Sequence, residues 1–313
     1  MSNSSINRRK FLKNAAALSS VALLPSALWS DTLKISAPAP VPGINLGVIT
    51  YSFRSMPGKL DDLLGYLVEL GLNTVELMGE PVEEYAGAPP FPGWGRSEEK
   101  RKELEAWGKE MSKFRAGADI GKYKEVKKRF KKEGINIEVV KFGSMARMSD
   151  EEIAYCFNSA KALGSKGITL ERSDESIEKL SPYATKYKRQ IGYHNHAQVA
   201  FESWDEAVKK SPYNSLNLDV GHYIAGTNTS PIPLIEKYHD RILNLHLKDR
   251  KFNEGPNMPW GQGDTPLKEI LQLMKNNKYK FMGTIELEYD IPEGSDAVKE
   301  VAKCIDFCRE AVG

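Results

Sequence analysis

Residues 215–222 read SLNLDVGH, and residues 241–249 read RILNLHLKD. In the first stretch Leu216, Leu218 and Val220 alternate with Asn217 and Asp219, and His222 follows three residues after the aspartate. In the second, Ile242, Leu243, Leu245 and Leu247 frame His246, with Asp249 three residues on. Short apolar runs bounded by glycine and polar residues read as buried strands of a parallel sheet. An aspartate or histidine at the end of such a strand is costly to bury unless something pairs with it. Two consecutive strands that both end this way predict a shared site at one rim of a barrel.

The same alternation recurs on both sides of this segment. Strands are predicted at 44–50, 72–77, 135–140, 167–171, 190–194, 215–219, 242–247 and 281–287. Helical periodicity falls between them at 58–70, 97–113, 120–133, 149–163, 174–188, 203–210, 231–239, 265–277 and 295–311. Gly71 and Gly134 stand just past a helix and before a strand, the expected C-terminal stop signal. Eight strands alternating with helices predict a single (β/α)8 TIM barrel over 44–313. An open doubly wound sheet is disfavoured, because no glycine-rich phosphate fingerprint follows the first strand.

The 313 residues are 41% hydrophobic and 27% charged, an ordinary composition for a globular protein. The net charge of +2 owes much to Arg8, Arg9, Lys10 and Lys13; without these four, 40 basic residues stand against 42 acidic ones. No polyanionic partner is implied, so nucleic acid is not expected. NRRKFLKNAAALSSVALLPSALWS has a basic start, an apolar stretch and small residues near Ser26 and Ala27. Residues 1–30 therefore read as a cleaved signal peptide. Their paired arginines resemble a twin-arginine signal, which predicts a periplasmic protein free of the membrane after cleavage. The Pro-rich 31–43 reads as a linker. Cys156, Cys304 and Cys308 imply no disulfide framework.

In a barrel of this kind chemistry sits at the C-terminal ends of the strands. Those ends carry Glu76 on the second, Glu171 on the fourth, and Tyr193-His194-Asn195-His196 on the fifth. Asp219 and His222 follow on the sixth, His246 and Asp249 on the seventh, and Glu286, Glu288 and Asp290 on the eighth. Four of the five histidines fall in this set. Mixed histidine and carboxylate donors from separate strands suit one divalent ion, Mn, Zn, Mg or Co.

With LDVGH, HLKD, the YHNH strand and the paired acids of the last strand, the chain over 44–311 resembles the xylose isomerase-like TIM barrels. That group is commonly described as sugar phosphate isomerase/epimerase and is related to endonuclease IV. The resemblance implies a metal held by a strand-5 residue, here His194 or His196, with Asp219, His246 and Glu288. Glu288 is favoured over Glu286 by its spacing from the glycine of GTIELEYD. The resemblance also implies a sugar isomerase or epimerase that transfers a proton next to a carbonyl through a metal-stabilised enediolate. Family epimerases use glutamates on strands 5 and 8; this chain has His194 at the first, so His194, His196 or Glu171 would supply the second proton relay. A metal-dependent lyase acting on an oxidised (3-keto) glycoside is the alternative.

His222 matches the Asp-x-x-His pattern and is expected to orient substrate, while Lys248 and Asp249 could contact a sugar hydroxyl or carbonyl. Trp94 and Trp260 stand in glycine-rich rim loops, where aromatic faces suit the C–H faces of sugars. Glu76 is the weakest candidate for substrate contact, since strand-end glutamates often serve as ion-pair partners. Export argues for a non-phosphorylated sugar, and a homo-oligomer is compatible with the sequence. An endonuclease IV-like cluster would need further histidines on strands 2 and 3 and a basic face. A non-catalytic sugar-binding protein would keep the aromatic rim without convergent ligands. The basic run 122–133 is interleaved with apolar residues and reads as an outer barrel helix.

Overall fold

The computed structural model describes residues 41–93, 95–198 and 202–313. The expected signal peptide, the linker up to residue 40 and Trp94 lie outside these described residues. Eight strands form a closed, all-parallel barrel in chain order. They are β1 (Leu46–Ile49), β2 (Thr74–Met78), β3 (Asn136–Lys141), β4 (Gly167–Glu171), β5 (Gln190–His194), β6 (Asn214–Asp219), β7 (Ile242–Leu247) and β8 (Met282–Ile285). Around them run α1 (Leu60–Glu69), α2 (Gly79–Tyr85), α3 (Glu98–Gly117), α4 (Ile120–Lys132), α5 (Asp150–Leu163) and α6 (Asp174–Tyr187). The second half adds α7 (Ser203–Lys210), α8 (Val220–Thr227), α9 (Ile232–Tyr238), α10 (Leu267–Asn276) and α11 (Ala297–Val312). The TIM barrel expected from the alternating pattern is the observed fold. Among the described residues no helix is long and apolar enough to cross a membrane.

The helices begin where side chains can satisfy their free amides. Ser97 caps α3, and Ser149 and Ser173 form capping boxes at α5 and α6. The basic helix α4 turns Tyr123, Val126 and Phe130 to the core and leaves its lysines outside. Two helices were not legible as periodic segments. One, α2, follows β2 without a loop; the other, α8, starts immediately after Asp219, whose Oδ1 accepts the His222 backbone N–H at 2.6 Å. The aspartate thus ends a strand and caps a helix in one position. Gly226 in α8 lies so close to the turn after β5 that a Cβ there would sit 1.7 Å from the Ala197 carbonyl oxygen.

Most of the core lies between sheet and helices, and Val139, Leu243 and Met282 form a separate apolar plug inside the barrel. Above the plug the interior becomes polar: Glu76, Thr169, Asn217, Asn244 and Thr284 are all fully buried. This layering keeps the bottom of the barrel as packed core and leaves the top for polar groups. At the top β8 ends at Ile285, two residues before its predicted end. Ser52, just after β1, closes the seam there: its hydroxyl donates to the Ile285 carbonyl at 3.3 Å and accepts from Leu287 N–H at 3.0 Å.

Candidate active site

Four side chains from four successive strand ends converge at the top of the barrel. His194 ends β5, Asp219 ends β6, His246 lies near the end of β7, and Glu286 follows β8 directly. All four are buried, and one ligand atom from each lies within 4.8 Å of the others. Register explains the convergence: Asp219 pairs with His246 across β6 and β7, and His246 pairs with Thr284, two residues before Glu286. Of the expected ligand quartet, the structure brings His194, Asp219 and His246 together and places Glu286 beside them. Glu288 stands apart from this group, half-buried, with its Oε2 2.6 Å from Lys248 Nζ. The strand has already ended at Ile285, so the two-residue period that would put both acids on one face does not extend to Glu288.

One nitrogen of the quartet, His194 Nδ1, is buried without a hydrogen-bond partner, and Asp219 Oδ2 is met only by the Lys248 ammonium at 2.9 Å. Leaving a buried atom unmatched is unfavourable by about 1–3 kcal/mol. A donor set of two imidazoles and two carboxylates fits a divalent ion. Burial, then the charges of Lys141 and His246, hold the His194 pKa well below its ordinary value, so the ring is neutral as a ligand must be. Burial alone would lower His246 as well, but Glu286 and Glu76 outweigh it and raise that pKa to about 10, so Nδ1 carries a proton that an entering ion would displace. Its Nδ1 lies 2.9 Å from Glu286 Oε2 and its Nε2 2.6 Å from Glu76 Oε2.

Glu76, expected at the rim, lies instead inside the barrel with no solvent exposure. It also accepts from Thr169 and from Asn244 Nδ2 at 2.6 Å. Its role in this geometry is to hold the Nε2 proton of His246, fixing the ring so that Nδ1 faces the quartet. Asn195 holds Asp219 in a similar way from the main chain: its Nδ2 donates to the Asp219 carbonyl at 3.1 Å and its Oδ1 accepts the Asp219 N–H at 2.8 Å.

Beside the quartet stands Lys248, 2% exposed. Its Nζ is 2.9 Å from Asp219 Oδ2, 2.9 Å from Glu286 Oε2 and 2.6 Å from Glu288 Oε2. Burial works against the charge, yet Asp219, Glu286 and Glu288 raise the lysine pKa and keep it an ammonium. His222 lies between two cations, with Lys248 Nζ 3.1 Å from Nε2 and Arg250 Nη1 2.6 Å from Nδ1. Burial, then Lys248 and His196, push its pKa down to about 3, so it is neutral.

A second group flanks the first. His196 Nε2 is 2.8 Å from Glu171 Oε2, and Lys141 Nζ is 2.8 Å from Glu171 Oε1. Burial would raise Glu171, but His196, His194 and Lys141 together hold it far below the usual carboxylate range. The bond to Glu171 in turn raises His196. The rings of His196 and His222 are 4.7 Å apart, and His222 Nε2 is 4.0 Å from Glu288 Oε2. The pair Glu171–His196 and the acid Glu288 therefore both lie beside His222.

Asp249 and Trp260 do not face the quartet. Asp249 accepts backbone N–H groups of Gly261, Gly263 and Thr265 at 2.8, 2.9 and 3.2 Å, so both oxygens are occupied in folding the loop after β7. Trp260 packs edge-on against Phe307 of α11, with centroids 5.6 Å apart. Lys141, at the end of β3, is a site residue that strand-end reading passed over in its search for chelating groups. The signal was available: a lysine closing the apolar run INIEVVK carries the same desolvation cost as an acid.

A profile of the xylose isomerase-like TIM barrel family matches residues 153–311. An inosose dehydratase from Clostridium beijerinckii is 25% identical over 162 residues, which are 44% of this chain and 53% of the relative. An inosose dehydratase from Clostridium botulinum is 24% identical over 157 residues, 43% of this chain and 52% of the relative. The chain spans about half the length of the curated relatives it matches. A probable 3-DHS dehydratase from Bacillus anthracis superposes with a TM-score of 0.60 at 13% identity, covering 84% of this chain and 98% of that one. A sugar phosphate isomerase/epimerase from Parabacteroides distasonis does so with a TM-score of 0.57 at 17% identity, covering 87% and 96%. These two solved structures share the fold. With the profile match, the closed eight-strand barrel and the residues gathered at its rim, the chain belongs to the xylose isomerase-like TIM barrel family.

Proposed function

We propose that the protein is a lyase that removes a proton beside the keto group of a polyhydroxylated, non-phosphorylated sugar or glycoside and expels a β-substituent. The observation that carries this reading is the buried quartet His194, Asp219, His246 and Glu286 with its unmatched His194 Nδ1. One divalent ion, Mn, Zn, Mg or Co, would be held there and would polarise a carbonyl or hydroxyl oxygen as a Lewis acid. Glu288, half-buried at the edge of the quartet, takes the α-proton, and Lys248 holds that carboxylate in place. His196, kept protonated by Glu171, gives a proton to the departing oxygen as the enolate electrons form the new double bond. Neutral His222, whose two ring nitrogens face Lys248 and Arg250, stands beside both acid and base.

The dehydratase names of the two clostridial relatives and of one structural neighbour support elimination. A sugar isomerase or epimerase is the second reading. It is favoured by the same placement of two proton-transfer groups beside His222, since one could return the proton that the other removes. The N-terminal residues, read as a twin-arginine-type signal, support export to the periplasm and hence a substrate without phosphate. Metal content of the purified protein is the first test, beside an Asp219→Ala/His246→Ala double variant. About one ion per chain in the parent and none in the variant is expected; a parent that stays metal-free after reconstitution refutes the site. Keto-glycosides and ketoses incubated in D₂O then separate the reactions. Loss of the β-substituent identifies the lyase, and deuterium at the α-carbon of an intact product identifies the isomerase.

A further inference from the structure

A cavity of about 340 Å³ opens on the same rim, between the start of α1 after β1 and the segment that follows β2. That volume is in the range of small-molecule sites, roughly 300–1,000 Å³. Glu80, Glu84, Pro89, Phe91, Trp107 and Met111 are among the residues that line it. Phe91 and Trp107 meet edge to face, with centroids 5.2 Å apart and planes at 70°. Trp107 Nε1 donates to the Pro89 carbonyl at 3.1 Å, so the polar edge of the indole is already used. What the indole offers the cavity is apolar ring surface.

The cavity adjoins the proton-transfer groups. Glu80 lies within electrostatic reach of Lys141, whose Nζ is 2.8 Å from Glu171. Lys141 also pairs with Met78 across β2 and β3, and Met78 stands two residues before Glu80, so the strand end that carries Lys141 neighbours the one that leads into the cavity. Charge at the opening is selective. Arg115 occupies the Glu83 carboxylate at 2.8 and 3.2 Å, whereas Glu80 has no such partner and Glu84 is exposed. Lys59 also lines the cavity, so an entering phosphate or carboxylate would meet the two carboxylates of Glu80 and Glu84 against a single ammonium.

We propose that this cavity receives the departing group of the substrate, a neutral aromatic aglycone that packs on Phe91 and Trp107, and that Glu80 excludes anionic groups. The inference rests on the lyase reading in its glycoside form. It is tested by calorimetric titration of the purified protein with phenyl β-glucoside and methyl β-glucoside, which lack the keto group and do not react, and with phenol alone. Phenyl glucoside is expected to bind at least tenfold more tightly than methyl glucoside. Trp107→Ala is expected to remove that difference and the binding of phenol while leaving methyl glucoside unchanged. Glu80→Gln, which keeps the shape of the cavity, is expected to tighten 4-carboxyphenyl β-glucoside about fivefold and leave phenyl glucoside as it was. Equal binding of the phenyl and methyl compounds, absence of binding by any of the three, or a preference that survives Trp107→Ala overturns the inference. A phenyl preference that behaves as described, in a protein that performs no elimination on keto-glycosides, overturns the lyase reading and leaves the aromatic subsite standing.

Discussion

Lys248→Met isolates the electrostatics of the site. Methionine keeps most of the stem volume and removes the ammonium that stands 2.9, 2.9 and 2.6 Å from Asp219, Glu286 and Glu288. Three carboxylates then face one another without a counter-charge. Removing one member of a buried ion pair destabilises by about 3–5 kcal/mol. Glu288, with 21% of its side chain exposed, can recruit water, so the lower end of that range applies. At roughly 2–4 °C per kcal/mol for a domain of this size, about 3 kcal/mol lowers the Tm by about 6–12 °C. That is the expected difference between parent and variant in EDTA, read by thermal unfolding. A divalent ion supplies the missing charge, and an ion at a hundred times its Kd stabilises by about 2.7 kcal/mol. The variant should gain more from saturating Mn²⁺ than the parent, in which the ammonium competes for the same oxygens. A variant that melts within about 2 °C of the parent in EDTA, or that gains no more from Mn²⁺, would refute this account of Lys248.

Glu286→Gln should lose bound metal, whereas Glu288→Gln should keep about one ion per chain and lose kcat; elemental analysis with steady-state kinetics distinguishes them. In the pH profile of kcat/KM, activity is lost on the alkaline side as His196 gives up its proton. Its pKa is raised by Glu171, so protonated His196 persists above the ordinary histidine range, and Glu171→Gln should move the alkaline limb to lower pH. A limb that stays in place would remove His196 as the acid. Asp249→Ala strands three backbone amides and should destabilise the protein by about 3 kcal/mol. Limited proteolysis should then cut the loop between Arg250 and Thr265, and the same loop should stay intact in the parent, where Asp249 holds it.

The strands and most helices were legible because β/α alternation leaves a clean period and because buried strand ends expose any polar residue placed there. LDVGH and HLKD stand out for that reason, and the structure joins Asp219 and His246 at one register position. The choice between Glu286 and Glu288 was not legible. Both have the same parity, and what separates them is a seam contact from Ser52 to Leu287, 235 residues away in sequence. Glu76 was misplaced at the rim because local pattern shows that a residue points inward, not how deep it lies. Lys141 shows a bias toward ligand types, since a cation at a strand end orders a carboxylate as effectively as a metal does. The helix α8 was hidden because its cap, Asp219, had already been assigned to the strand.

The bond pair between Asn195 and the main chain of Asp219 sets the tolerance of this architecture to change. It acts as an added rung above the last paired residues of β5 and β6, His194 and Asn217, made by a side chain instead of the backbone. The position of Asp219 is therefore independent of the loop that continues from Asn195. Exchanges beyond Ala197, whose carbonyl lies against Gly226 of α8, can reshape what the site admits while the quartet stays in place. Substitution of Asn195 itself would unlock both strand ends at once. The barrel thus separates a fixed reaction centre from replaceable specificity, and the dividing line runs through a single asparagine.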